Sequence, residues 1–472
     1  MHRDSAPPAP VRTPAGEPPD HHPVLTLLVA CTGFFVITLD VNAVTVALPH
    51  IGRELGVGVT ALQWVLDAYT LLFAALMLSA GTVSDRFGAT RVYAVGLAGF
   101  TVMSAACALA PDAAFLIGAR AAQGAAAALM LPASLSLIRR TRTDPAERAR
   151  GFALWTAASG VAVAAGPVAG GVLTQALGWR SIFFLNVPVG VAALAALSRT
   201  PRIRPRPAPL DGAGQSAVVL ALAALVFAVI EGGATGFGSP EVAVASAVAV
   251  AAGTAFLAVE ARVRHPAVPP ALFRERAVAV CTAAGLTMNL GFYGAVFVLS
   301  MFFQTQRHLS ALVGGVMFLP MTGLIAVVNV VSGRVIARYG PRLPLAAGQL
   351  LAGAASLALP AVGPGTPVPL LSAALLPLGV GAGLAAPALT TTMLEAVPAE
   401  RSGLASGVLN AARQTGGAVG VALFGAFIGG GRFLPGMRLS LLTGGVALLC
   451  TGTAVAVLLR GDGGRRRPAV TG

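Results

Sequence analysis

Fourteen apolar runs, most of them near the 20 residues that a helix needs to cross a bilayer, are strung along this chain, and the arginines between them fall almost entirely into alternate gaps. The eight polar stretches that include both ends hold 25 of the 32 basic residues, among them Arg86 and Arg91, the run Arg139, Arg140, Arg142, Arg148 and Arg150, and Arg334, Arg338 and Arg342. The seven gaps in between hold five: Arg53, Arg180, Arg307, Arg432 and Arg438. Short basic loops are retained on the cytoplasmic side of a membrane, so this alternation predicts fourteen crossings with both termini cytoplasmic. Two arginines, Arg120 and Arg413, lie inside apolar runs. A charge there is costly, and it marks the place to look for function.

With 56 % hydrophobic and 11 % charged residues and a mean hydropathy of +0.80, the composition excludes an ordinary soluble domain. The formal charge of +14 is accounted for by the basic loops, and no basic stripe with interleaved aromatics points to nucleic acid. Every basic residue is arginine, in a chain rich in Ala, Gly, Val and Pro, as codon usage in a high-GC bacterium would produce. Cys31, Cys107, Cys281 and Cys450 all fall within apolar runs without metal-ligand spacing, so they read as small hydrophobes, with no disulfide and no metal expected. No HExxH, GxSxG or paired acids at a loop boundary suggest an enzyme, and no cofactor is expected.

The predicted spans lie near 24–49, 60–81, 91–110, 113–138, 150–173, 179–198, 212–231, 242–260, 277–303, 311–336, 342–362, 367–393, 402–428 and 437–460. The stretch GTVSDRFGATR from Gly81 returns as GRVIARYGPRL from Gly333, and AERARGF from Ala146 returns as AERSGL from Ala399. Pro132 and Pro387 keep nearly the same offset. Two six-helix halves are therefore expected to be related in parallel: residues 24–198 and 277–460, with arginine-rich linkers and two inserted helices over 199–276. A polar, proline-rich tail (1–23) and a basic tail (461–472) complete the chain, both expected in the cytoplasm. Parallel halves suggest two bundles that rock about a central site.

On these motifs the chain resembles the major facilitator superfamily, and within it the fourteen-span drug:proton antiporters. Gly81, Asp85, Arg86, Gly88 and Arg91 are similar to the family's loop signature between helices 2 and 3. The resemblance implies that Asp85 and Arg86 latch the two halves on the cytoplasmic side, with Gly81 and Gly88 allowing close packing and a tight turn. In the second copy Ala337 stands where the first has Asp85. Arg120, Gln123 and Gly124 match the family's helix 4 motif. Gly166, Pro167, Gly170 and Gly171 match the helix 5 signature of exporters, whose small residues let helices approach closely. LDVNAVTVALP (39–49) resembles the helix 1 signature, and WRSIFFLNVPVG (179–190) strengthens the fourteen-span assignment.

Counting helix rise places Asp40, Asp67 and Arg120 at a similar depth in one bundle, so they are expected to form a net-negative cluster. Such a cluster suits proton coupling or substrate contact, with Asp40 as the leading proton carrier. Arg413, in NAARQTGG, falls near the midplane with no acid at its depth in the second half, where a role facing the cavity is expected. Asn42, Asn289, Asn329, Asn410 and Gln414 are expected to line the cavity, as are Gln304 and Gln349. The expected function is a proton-driven exporter of small organic compounds, apolar or cationic, acting as a monomer in a bacterial cytoplasmic membrane. The partners are lipid, substrate and protons. The alternative is a metabolite transporter of the same fold with another substrate, direction or coupling.

Overall fold

The computed structural model describes residues 23–142, 144–200, 205, 211–263, 268–398, 401–429 and 433–459. Both tails expected from the sequence, and the linker arginines Arg202, Arg204 and Arg206, lie outside them. Among the described residues there is no strand. The first half runs α1 (Pro23–Leu55), α2 (Val59–Phe87), α3 (Ala89–Ala108), α4 (Ala113–Thr141), α5 (Pro145–Leu177) and α6 (Arg180–Leu197). The inserted pair is α7 (Gly212–Thr235) and α8 (Pro240–Arg262). The second half runs α9 (Arg276–Met301), α10 (Ala311–Tyr339), α11 (Arg342–Ala358), α12 (Val368–Ala374), α13 (Leu376–Glu395), α14 (Ser402–Gly429) and α15 (Phe433–Leu458).

Local chemistry sets several of these ends. Asp112 and Asp144 cap α4 and α5 by accepting from the backbone N–H of Phe115 and Glu147, each at 2.8 Å. Gly88 (φ 88°) separates α2 from α3, and Gly340 (φ 77°) separates α10 from α11. Both backbones lie where a side chain is disfavoured, and the two glycines are 252 residues apart, the offset of the sequence repeat. The twelfth expected span is broken at Leu375 into α12 and α13, and α9 runs on through a π-helical turn, Phe302–Gln306.

Thirteen stretches among the described residues are long and apolar enough to cross a membrane. The chain is a multi-pass membrane protein. The remaining long helix, α14, has 28 residues but carries Asn410, Arg413, Gln414 and several glycines, which lower its apolarity. It is wedged between α9, α2, α7 and α15, so protein surrounds much of it.

Two seams join the halves, one between α2 and α14 and one between α5 and α10. At the face away from the arginine-rich loops the α5–α10 seam is tight. A Cβ on Gly171 would stand 2.6 Å from the Ala311 carbonyl oxygen, and one on Gly315 would stand 2.2 Å from that of Pro167. Ser300 donates to the Thr45 carbonyl (3.1 Å), Gln304 to Val46 (2.8 Å) and Gln63 to Ala422 (2.7 Å), tying first half to second near this face. Towards the arginine-rich face the same helices part. Gly160 on α5 and Gly333 on α10 continue the faces that carry Pro167 and Gly315, yet a Cβ on either meets nothing within 4 Å. Ala153, Ala157 and Val330 are exposed there. The molecule is closed at the arginine-poor face and splayed at the arginine-rich one.

Helix α7 lies over the other seam. Gln215 donates to the Ala75 carbonyl of α2 at 2.8 Å and bonds Ser79. Higher up, Val226 and Ile230 form one apolar cluster with Leu71 of α2 and with Ala418 and Ala422 of α14. Gly233 packs so closely on Ala426 that a Cβ would stand 2.4 Å from its Cα.

Candidate functional site

The buried charges of the first half separate into an ion pair, whose one unpartnered atom among the described residues is Arg120 Nη2, and a lone acid. Arg120 Nη1 donates to Asp40 Oδ2 at 2.5 Å and to Gln123 Oε1 at 2.7 Å, and Nε donates to the Val65 carbonyl at 3.1 Å. Asp40 Oδ1 accepts from Asn186 Nδ2 at 2.9 Å and, at 3.5 Å, from Gln123 Nε2. Ser104 Oγ closes the network, accepting from Gln123 at 2.6 Å and Asn186 at 3.2 Å. The guanidinium lies 4.2 Å from the Tyr69 ring centroid and 5.7 Å from that of Phe183. Both charged side chains are fully buried inside the first bundle, and neither faces the gap between the halves. Gly124 makes the packing possible, since a Cβ there would stand 2.2 Å from the Tyr69 carbonyl oxygen.

Asp67 does not join this cluster, contrary to the expectation from depth. Helix α2 presents Val65 and Tyr69 to Arg120, and Asp67, two residues from each, is turned about 200° away. It is fully buried. Among the described residues its Oδ1 accepts only from Thr70 Oγ1 at 3.4 Å, its Oδ2 has no hydrogen-bond partner, and no cation pairs with it. Its neighbours along the helix, Gln63 and Leu71, face α14, so the acid sits at the α2–α14 seam.

Between the halves lies a cavity of about 50 Å³ lined by Phe34, Ile37, Thr38, Val41 and Thr45 of α1, Leu66, Thr70 and Phe73 of α2, and Tyr293, Gln414, Gly417 and Val421 of α9 and α14. That holds water but not a drug-sized ligand, which takes several hundred Å³, so loading requires the walls to part. Of the side chains expected to line it, Gln414 does. Asn42 is buried against Gly166 and donates to the Thr38 carbonyl at 2.8 Å. Asn410 donates to the Ser406 carbonyl at 3.0 Å, Asn289 is buried on α9, and the Asn329 carbonyl oxygen is buried without a partner on α10. Gln304 belongs to the closed face, and Gln349 bonds Ala284 and Thr451 inside the second bundle. Arg413 lies beside the cavity, packed over Gly285 and within electrostatic reach of Tyr293; among the described residues it has no ion pair.

The helix 5 signature works as close packing. A Cβ on Gly166 would stand 2.5 Å from Asn42, and one on Gly170 2.5 Å from the Ala43 carbonyl oxygen, while Pro167 and Gly171 meet α10. At the arginine-rich end Asp85 pairs with Arg140 of α4 at 3.3 Å, Arg86 leans on Phe87, and Arg91 is exposed. The expected latch between halves is thus a contact within the first half, because the halves are splayed where it would form. Gly81 meets nothing within 4 Å of a Cβ, so its expected close packing is absent as well. Sequence reasoning missed Asn186 and Ser104 as partners of Asp40, and Thr70 and Tyr293 as cavity walls. The sole signal for Asn186 was an amide in the middle of an apolar run.

A sequence profile of the Major Facilitator Superfamily matches residues 30–421. The chain belongs to the major facilitator superfamily. Within it, the chain is 37 % identical over 460 residues to a methylenomycin A resistance protein of Streptomyces coelicolor, covering 97 % of this chain and 96 % of that one. It is 36 % identical over 417 residues to the multidrug resistance protein Stp of Mycobacterium tuberculosis, covering 86 % and 76 %. A crystal structure of a peptide transporter, POT, in complex with sulfate superposes with a TM-score of 0.71 over 92 % of this chain and 94 % of that one. At 16 % identity that match speaks for the superfamily fold alone.

Proposed function

We propose that this protein exports small organic compounds across a bacterial cytoplasmic membrane by alternating access, in exchange for protons, and that Asp67 is the proton site. Resistance and efflux names among its relatives support export. The arginine-rich face is cytoplasmic, as short basic loops require, so the conformation described is inward-open. Removal of a terminal tag by external protease in intact cells would reverse this orientation; protection until the cells are permeabilised is expected.

The observation that carries the proton assignment is the unsatisfied carboxyl of Asp67 at a seam between the halves. A carboxylate charge with one weak donor and no cation is costly in that position, and a bound proton removes the cost. Thr70 links it to the cavity wall, giving the proton a way in and out. Asp40, held by Arg120 and Asn186, is a fixed charge that orders the first bundle. Protonation from the outer side would let Asp67 pass the seam as a neutral group, and return to the inner side would discharge it. In inverted vesicles, Asp67→Asn should abolish substrate-induced proton movement while the protein still reaches the membrane. Proton movement at the wild-type ratio in that variant would remove Asp67 from the mechanism.

A further inference from the structure

The cavity between the halves has no ionised side chain in its wall. Phe34, Phe73 and Tyr293 supply rings; Thr38, Thr70 and Gln414 supply polar groups. Thr38 and Thr70 already hydrogen-bond Ser159 and their own helix. The Gln414 amide and the Tyr293 hydroxyl hydrogen-bond to no described residue, which leaves them for a guest. Behind Tyr293 stands Arg413, a positive charge that pairs with no acid among the described residues.

We infer that the cargo is an uncharged molecule with a planar conjugated ring and hydrogen-bonding substituents, and that organic cations are rejected. An organic cation entering this space gives up its hydration, finds no carboxylate in the wall, and meets the field of Arg413. Asp67, set behind the Thr70 hydroxyl, opposes the field of Arg413 without touching a guest, so the lost hydration of a cation is left uncompensated.

An anion fails for a different reason, which rests on the proton exchange proposed above. In an exchanger, bound proton and bound cargo must exclude each other. Protonating Asp67 makes the site more positive and would hold an anion more tightly, and by linkage the anion would hold the proton. Those two would travel together, the opposite of exchange. An uncharged guest avoids both conflicts, and its ring stacks on the aromatic walls while Gln414 and Tyr293 read its polar edge.

Three acridine dyes of one ring shape separate the cases: N-methylacridone (uncharged), N-methylacridinium (a permanent cation) and N-carboxymethylacridone (an anion). In everted vesicles energised to an acid interior, uptake of the acridone should exceed that of the acridinium by roughly tenfold or more, the order of discrimination that burying an unpaired charge gives. Gln414→Glu, and independently Thr38→Asp, should reverse that order by placing a carboxylate in the wall. Two variants guard against one failing to fold. Wild-type uptake of acridinium equal to that of acridone would overturn the inference and leave export standing. So would acridinium exclusion persisting in both acidic variants at normal protein levels. Energised uptake of the anion as fast as the acridone would sink the linkage step. No energised uptake of any of the three would sink the exporter reading together with this one.

Discussion

At the scale of single residues, depth was legible and azimuth was not. Helix rise placed Asp40, Asp67 and Arg120 at one level, and Asp40 and Arg120 do meet, at 2.5 Å. Which way a side chain points around a buried helix depends on neighbours that a mostly apolar sequence does not record, and so depth alone puts Asp67 with the wrong face. The neutral partners were hidden for a related reason: Asn186 and Ser104 are two of many small polar groups in apolar runs, and only the fold brings them to Asp40. The two acids should therefore respond differently to loss of charge. Arg120→Ala strands the Asp40 carboxylate and should destabilise the detergent-solubilised protein by about 3–5 kcal/mol, the usual cost of breaking a buried pair. Adding Asp40→Asn should recover part of that loss in a thermal melt. Asp67→Asn alone should leave the melting temperature unchanged or higher, since it removes a charge that nothing satisfies. A large fall in that variant would mean Asp67 has a partner in the unfolding protein's native ensemble.

At the scale of elements, lipid made most helices readable, because a chain in hydrocarbon must satisfy its backbone within each span. The position of the inserted pair was not readable, since two apolar runs between the halves say nothing of where they dock. The side chains of α7 show how it is held. Its polar anchor, Gln215, grips α2, while Ala418, Ala422 and Ala426 of α14 pack against it. Hydrogen bonds fix a register, and alanine faces permit sliding. Helix α7 should then travel with the first half and keep the α2–α14 seam covered as α14 moves beneath it. In a background free of native cysteines, a disulfide between cysteines at Ser79 and Gln215 should leave transport intact, and one between cysteines at Ile230 and Ala422 should stop it until reduced. The reverse pattern would attach α7 to the second half.

At the scale of the whole molecule, the sequence spoke clearly about two parallel halves and not at all about which face is open. The repeat appears in the backbone as the paired turns at Gly88 and Gly340. Conformation is a balance between two sets of contacts, and both sets are written into one chain. That is why the expected close packing at Gly81 and the expected contact of Asp85 with the second half are missing among the described residues: both lie at the arginine-rich end, where the halves stand apart. Closing that end must bring α5 and α10 together, as Gly171 and Gly315 do at the other. Leucine at Gly160 or Gly333 should fold normally and hold the protein open at its arginine-rich face, read as slow transport with undiminished labelling of a cysteine at Val330 from that side. Transport at the wild-type rate in both variants would place the hinge elsewhere.

Those two glycines have empty space around them in this conformation, yet they are glycine in the middle of long helices. Replacing a helical glycine by alanine ordinarily gains about 0.5–1 kcal/mol. A stability screen run on the protein in this conformation would therefore score Gly160→Ala and Gly333→Ala as improvements, while a growth screen under drug would score them as defects. Heat tolerance and drug tolerance would rank the same library in opposite orders along this one stripe. Positions where the two rankings cross would then map the contact surface of the conformation closed at the arginine-rich face, residue by residue.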